Sequence, residues 1–182
     1  GEPSDMKVVN AHKSIHAFHT VVTGLEAHSS AMDKGVNAII YAAELIGFLA
    51  RIGEEMQAKG DASGRFDPPY TSMQIGTVNG GTAVNIIPRH CDFRWEFRAL
   101  PDQDPDEIPA RLAAFAEEKL LPRMRAVFPG ASIETKARNF VPPLKPQDGA
   151  PGEALVLQLA ERNETEAVSY GTEAGLFQMA DI

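Results

Sequence analysis

The sequence predicts an α+β fold: a four-stranded antiparallel sheet with two helices on one face. Three observations predict it. Asp92 to Arg98 sets Phe93, Trp95 and Phe97 against Asp92, Arg94, Glu96 and Arg98, the two-residue period of a strand with one dry and one wet face. From Lys34 to Lys59 the apolar residues Val36, Ile39, Ile40, Ala43, Ile46, Leu49 and Met56 recur at helical spacing, and Gly60 supplies a stop. Around these two segments the remaining patterns fall in the order strand, helix, strand, strand, helix, strand.

The first strand is Ser14 to Gly24, where Phe18, Thr20 and Val22 share one side and His19, Val21 and Thr23 the other. The helix that follows carries a second apolar stripe, Tyr41, Leu45, Phe48 and Ile52, more than a helix covering one sheet face needs, which suggests a contact with another subunit. A Gly/Asp/Ser/Pro loop from Lys59 to Pro69 leads to a strand over Thr71 to Val78, and Asn79-Gly80-Gly81 turns the chain. After the aromatic strand, Asp104, Pro105 and Glu107 mark a helix start with a carboxylate cap, and Ile108, Leu112, Phe115 and Leu120 continue it. Pro122 is expected to kink or end that helix, and Ala131 to Ala137 reads as the fourth strand. This order is that of a ferredoxin-like split unit over roughly Ser14 to Phe140. The rest is a Pro-rich stretch, a helix from about Gly152 to Arg162, a short strand near Ala167 and a last helix after Glu173, pieces expected to have no sheet of their own.

Composition excludes several classes. A net charge of -8 over 182 residues leaves no basic stripe for nucleic acid or an anionic membrane surface, so neither is expected as a partner. The single cysteine, Cys91, cannot form an internal disulfide, and no apolar run reaches the roughly 18 residues of a membrane span. A cytoplasmic protein is expected. Gly1-Glu2-Pro3-Ser4-Asp5 has neither an initiating Met nor a signal-peptide pattern, and both ends read as cut from something longer.

Few residues point to chemistry one at a time. Glu2 is a carboxylate fixed ahead of a proline, a setting far more common on plain surface than at a metal. His28, in the polar segment Gly24 to Ser30, can donate to an oxyanion or merely be solvated. Asn85, in Gly80 to Pro88, can bind a substrate carbonyl or bond its own turn. Arg98 can hold a substrate carboxylate in a fork or pair with Glu96. Gly171 and Thr172 lie in a segment, Ser169 to Glu173, that suits either a carboxylate at a helix start or ordinary capping. No complete metal site assembles from these residues.

Taken in order, however, Gly1 to Asp5, Gly24 to Ser30 with Gly35-Val36-Asn37-Ala38-Ile39, Gly80 to Pro88, Phe93 to Arg98 and Ser169 to Gln178 resemble the family of acetylornithine deacetylase, succinyl-diaminopimelate desuccinylase and glutamate carboxypeptidase. The resemblance implies a two-domain amidohydrolase with two zinc ions, cobalt being possible, and an inserted ferredoxin-like lid through which it forms a homodimer. Residues 14–140 would be the lid, and 1–13 and 141–182 parts of the catalytic domain. By position, Glu2 resembles a zinc ligand and His28 the lid histidine that reaches a partner's active site. Asn85 and Arg98 resemble lid contacts to substrate, and Gly171 and Thr172 the loop holding its carboxylate end. The implied substrate is a small N-acyl amino acid, with N-acetyl-L-ornithine, deacetylated in arginine synthesis, the nearest in wording. The implied reaction is attack of zinc-bound hydroxide on an amide, with a glutamate moving the proton. That glutamate and most metal ligands lie outside these 182 residues in the resemblance, so the chain alone is expected to be inactive. A related deacylase or carboxypeptidase, or a free-standing dimerisation module, are the alternatives.

Overall fold

The computed structural model describes residues 4–147 and 149–181. Four strands, β2 (Ile15–Thr23), β4 (Ser72–Gly80), β6 (His90–Arg98) and β7 (Ser132–Val141), form one sheet in the order β4-β6-β2-β7, every neighbour antiparallel. Helix α1 (Ala38–Lys59) connects β2 to β4, and α2 (Glu107–Phe115) with α3 (Leu121–Val127) connects β6 to β7. This is the expected split unit. Two minor pairs complete the sheets: β3 (Ala27–His28) with β5 (Ile86–Ile87), and β1 (Val8–His12) with β8 (Thr165–Val168). Helices α4 (Pro151–Leu159) and α5 (Ala174–Met179) flank the last strand.

The core lies between the sheet and its helices, and the aromatic strand builds it as its alternation requires. Phe93, Trp95 and Phe97 are at most 2% exposed, and Phe18 stacks on Trp95 with ring centroids 4.4 Å apart. The Trp95 indole N–H needs a partner once buried and donates to Thr20 Oγ1 at 3.0 Å. Burying one such aromatic side chain contributes on the order of 2–3 kcal/mol.

Helix α1 corrects the expected face. Its buried residues are Ala38, Ala42, Leu45, Leu49, Ile52 and Met56, whereas Ile39, Ile40 and Ala43 point to solvent. The stripe assigned to another subunit is core: Leu45 and Ile52 are fully buried, Phe48 stacks on Phe115 at 4.3 Å, and the Arg123 guanidinium lies 5.2 Å over Tyr41. The misreading has a physical cause. The first half of the helix is apolar nearly all round, with Glu44 its one charged residue between Ala38 and Ala50, and small Ala38 and Ala42 are among its buried positions. The helix also starts later than expected, at Ala38, because the Asn37 side chain caps it by accepting from the Ile39 and Ile40 N–H groups.

The second helical segment departs from its signals as well. Asp104 does not cap the helix; its carboxylate accepts from Asp106 N at 2.9 Å, and Glu107 accepts from Gln103 Nε2 instead of closing a capping box. Pro122 does not end it: one π-helical turn, Ala116–Leu120, absorbs the change and the chain continues as α3 with the proline in its first turn, where a missing N–H costs least. The terminal pieces do have a sheet. Val8 pairs with Thr165 and His12 with Val168 in parallel register, joining segments far apart in the chain. Asn79 and Gly80 belong to β4, so the turn begins at Gly81, whose φ of 79° suits glycine.

Candidate functional site

His28 and Asn85 are brought together at one end of the sheet. Ala27 and His28 pair antiparallel with Ile87 and Ile86, and Ser29 N donates to Asn85 O at 3.0 Å. The pair is seated by close backbone packing: a Cβ on Gly24 would lie 2.0 Å from the Val36 carbonyl oxygen, so only glycine fits where Gly24 and Leu25 meet Val36. Both His28 and Asn85 are exposed. The Ser30 N–H donates to His28 Nδ1 at 3.2 Å, and Ser30 Oγ lies 2.8 Å from the same nitrogen. A backbone donor on Nδ1 leaves the neutral imidazole with its proton on Nε2, where it can donate outward.

Arg98, Gly171 and Thr172 gather at the opposite end. The register that pairs His16 with Phe97 places Ile15 opposite Arg98. Gly171 packs on Ile15, and a Cβ there would come within 2.8 Å of Ile15 Cδ1. Arg98 Nε and Nη2 both donate to Glu96 Oε1 at 3.3 Å, and Thr172 Oγ1 accepts from Ala174 N at 3.1 Å. In this chain Arg98 therefore sits in an ion pair, and Thr172 makes a local turn bond just ahead of α5, whose N-cap is Glu173. Strand β2 joins the two ends and has nine residues, so about 27 Å separates them. One chain does not bring His28 and Arg98 to the same ligand.

The wet face of the sheet carries a cluster that the sequence reading missed. Asp92 accepts from His19 Nε2 at 2.9 Å and from His90 Nε2 at 3.3 Å, and Arg138 Nη2 donates to His19 Nδ1 at 3.1 Å. The hydrogen bond from His19, ahead of those from Asn79 and His90, holds the Asp92 carboxyl below the usual carboxylate range. The signal was present as the spacing His90-Cys91-Asp92 on β6, but its partners come from β2 and β7.

The junction between β1 and β2 was also missed. Lys13 is fully buried, and its ammonium donates to the carbonyls of Pro68 and Tyr70, each at 2.7 Å. Burial pushes its pKa down, while Asp61 and Asp67 oppose that shift. Ser169 Oγ donates to Asp67 O at 2.6 Å, so one loop is tied both to the junction and to the segment after β8.

Among the described residues no group of three His, Cys, Asp or Glu can hold an ion. The Glu-Glu pairs of the chain, Glu54-Glu55 and Glu117-Glu118, sit on α1 and in the π-helical turn and belong to no such group. Glu2, the one ligand implied by resemblance, lies outside the described residues. The described part does not make a zinc site by itself.

No helix of the described residues is long and apolar enough to cross a membrane. Comparison with known proteins gives a consistent result. A family model described as the peptidase dimerisation domain matches residues 10–124. The acetylornithine deacetylase of Pasteurella multocida is 32% identical over 186 residues, covering 98% of this chain and 45% of the relative. That of Myxococcus xanthus is 29% identical over 180 residues, covering 96% and 44%. The chain thus spans less than half the length of the curated relatives it matches. Among solved structures, the aminopeptidase PepT of Bacillus cereus superposes with a TM-score of 0.68 at 24% identity, covering 95% of this chain and 43% of that one. The aminobenzoyl-glutamate utilization protein of Klebsiella pneumoniae does so with 0.64 at 16%, covering 98% and 44%. These two show the shared fold. With the family model matching more than half of its residues, the chain belongs to the M20 peptidase dimerisation domain family.

Proposed function

We propose that this chain is the lid, with adjoining parts of the catalytic domain, of an M20 amidohydrolase that deacetylates N-acetyl-L-ornithine or a closely similar N-acyl amino acid. Residues 14–140 form the lid, and 1–13 and 141–182 belong to the catalytic domain. The support is the ordered likeness to acetylornithine deacetylases along 98% of the chain. The zinc ions of that reading are held by residues beyond those described, Glu2 among them.

The observation that carries the site assignment is the separation of His28 and Asn85 from Arg98, Gly171 and Thr172 at opposite ends of the sheet. Two half-sites about 27 Å apart serve one small substrate only if a second copy brings its own His28 and Asn85 to the Arg98 end. In that composite site His28 donates from Nε2 to the oxyanion as the amide carbon becomes tetrahedral, and Asn85 holds the carbonyl before it does. Arg98 has five donors; one acceptor oxygen on Glu96 leaves the others for the substrate carboxylate. Gly171 and Thr172 close the space around that carboxylate. The buried core of the lid is complete in this chain, so association needs neither metal nor substrate.

A mixing experiment tests this reading. Full-length His28→Ala and Arg98→Ala proteins, each inactive alone on N-acetyl-L-ornithine, are unfolded together and refolded. Mixed dimers carry one intact composite site, so random pairing returns about a quarter of wild-type activity. No recovery, with mixed dimers shown to form, would mean that each site is built within one chain.

A further inference from the structure

The wet face of the sheet carries a groove of about 480 Å³ that belongs to neither half-site. It runs across the strands where two β-bulges fall at nearly the same level. One bulge leaves Gly76 without a partner between Ile75 and Thr77 on β4; the other leaves Arg138 as the extra residue opposite the step from Ala17 to Phe18. Bulges on both sides of the sheet bend it and re-aim side chains, the usual way in which a flat strand surface becomes concave. The floor at Ala17 and Gly76 is almost bare of side chain, and the walls are Gln74, Arg94, Glu96 and Arg138.

The charges on these walls are unbalanced. Glu96 is engaged by Arg98, and Lys136 pairs with Glu134. Among the described residues neither Arg94 nor Arg138 has a carboxylate within ion-pair distance. Arg138 spends one donor on His19 Nδ1, an uncharged acceptor, and His19 is the cross-strand partner of Arg94. Two guanidiniums therefore flank one imidazole beside a groove of ligand size, in a chain whose net charge is -8. A guanidinium's planar fork matches a carboxylate with two parallel hydrogen bonds, which sets this site apart from a diffuse basic patch.

We propose that this groove is an anion site in which Arg94 and Arg138 hold a small organic dicarboxylate, one carboxylate to each guanidinium, over the floor of Ala17 and Gly76. The site does not depend on the catalytic reading, since it needs neither metal nor a second copy.

The test uses this chain and succinate, with inorganic phosphate as the second probe. Binding is read by calorimetry at low salt and by amide chemical shifts of Ala17 and Gly76. One succinate binds per chain, both amides shift, and Arg94→Gln or Arg138→Gln weakens binding about tenfold or more. Arg162→Gln, a surface change outside the groove, leaves it intact. Circular dichroism confirms that the variants fold. Ala17→Leu fills the floor and blocks binding with both arginines still present. Absence of heat and shifts at millimolar succinate overturns the proposal, as does binding indifferent to both arginines. Binding of phosphate but not succinate overturns the carboxylate assignment.

Discussion

At the scale of single residues, proton placement decides what the histidines can do. His28 receives a backbone N–H at Nδ1, so its Nε2 carries the proton that an oxyanion would need. Replacing it by alanine in the full-length protein should lower kcat about 100- to 1000-fold with little change in KM, since the bond forms only as charge develops. An equal rise in KM at unchanged kcat would assign His28 to ground-state binding. His12 and His16 behave differently. Both are buried, at 0% and 6% exposure, and burial pushes both imidazoles below their ordinary pKa. His12 donates from Nδ1 to the Lys13 carbonyl at 2.9 Å, while its Nε2 is buried with no partner among the described residues. Their neutral forms fit the fold and their charged forms do not. As pH falls through about 6.5 the unfolded chain takes up protons that the folded chain refuses, so stability is lost on acidification, at up to about 1.4 kcal/mol per pH unit for each imidazole. Urea unfolding at a series of pH values should show this, and His16→Phe, which keeps the stacking on Phe97, should remove its share of the slope. A slope identical to wild type would show that His16 charges as readily folded as unfolded.

At the scale of elements, α1 offers the sharpest contrast. Leu45→Ala should cost about 2–5 kcal/mol in denaturant unfolding, because the site is fully buried between sheet and helices. Ile40→Ala, at a position 48% exposed, should stay within about 0.5 kcal/mol. The reverse ranking would restore the face expected from sequence. The comparison also shows what was legible. Strand β6 was plain because Phe93, Trp95 and Phe97 alternate with four charged residues, and a one-residue slip would put every one of them on the wrong side. Helix α1 existed plainly too, but its facing was not readable where Ile39, Ile40, Ala43, Leu45 and Phe48 leave no polar arc. The β1–β8 pair was hidden because parallel partners this far apart leave no local turn signal. Arg138 escaped notice because a bulge shifts the two-residue period that would have placed it. The residues of the proposed half-sites stood out as motifs in order, yet nothing in their spacing told that His28 and Arg98 stand at opposite ends.

At the scale of the whole molecule, the proposed homodimer needs a surface that a second copy can cover. The four-stranded sheet has two edges, β4 and β7. Edge β7 presents Glu134, Lys136 and Arg138, charges that oppose pairing with another strand. Edge β4, Ser72–Gly80, contains no charge and no proline across nine residues. Beside it stand exposed Ile39, Ile40 and Val78, at 38%, 48% and 53% exposure, with Ile39 close to Gly81. Ile39 and Ile40 are α1 residues that the core did not take, and Val78 lies on β4 itself. An uncharged free edge next to an exposed apolar helix face is the surface a second antiparallel copy would cover, and it adjoins the His28 end of the sheet. Thr77→Lys on the β4 edge should therefore weaken self-association at least about tenfold in sedimentation equilibrium, while Lys136→Thr on β7 should not. Val78→Lys should act with Thr77→Lys, and the same variants in the full-length protein should lose activity in step with the dimer. If the β7 change dissociates the dimer and the β4 changes do not, the composite site must be assembled across the other edge, and His28 would then have to reach its partner by a route along the opposite side of the sheet.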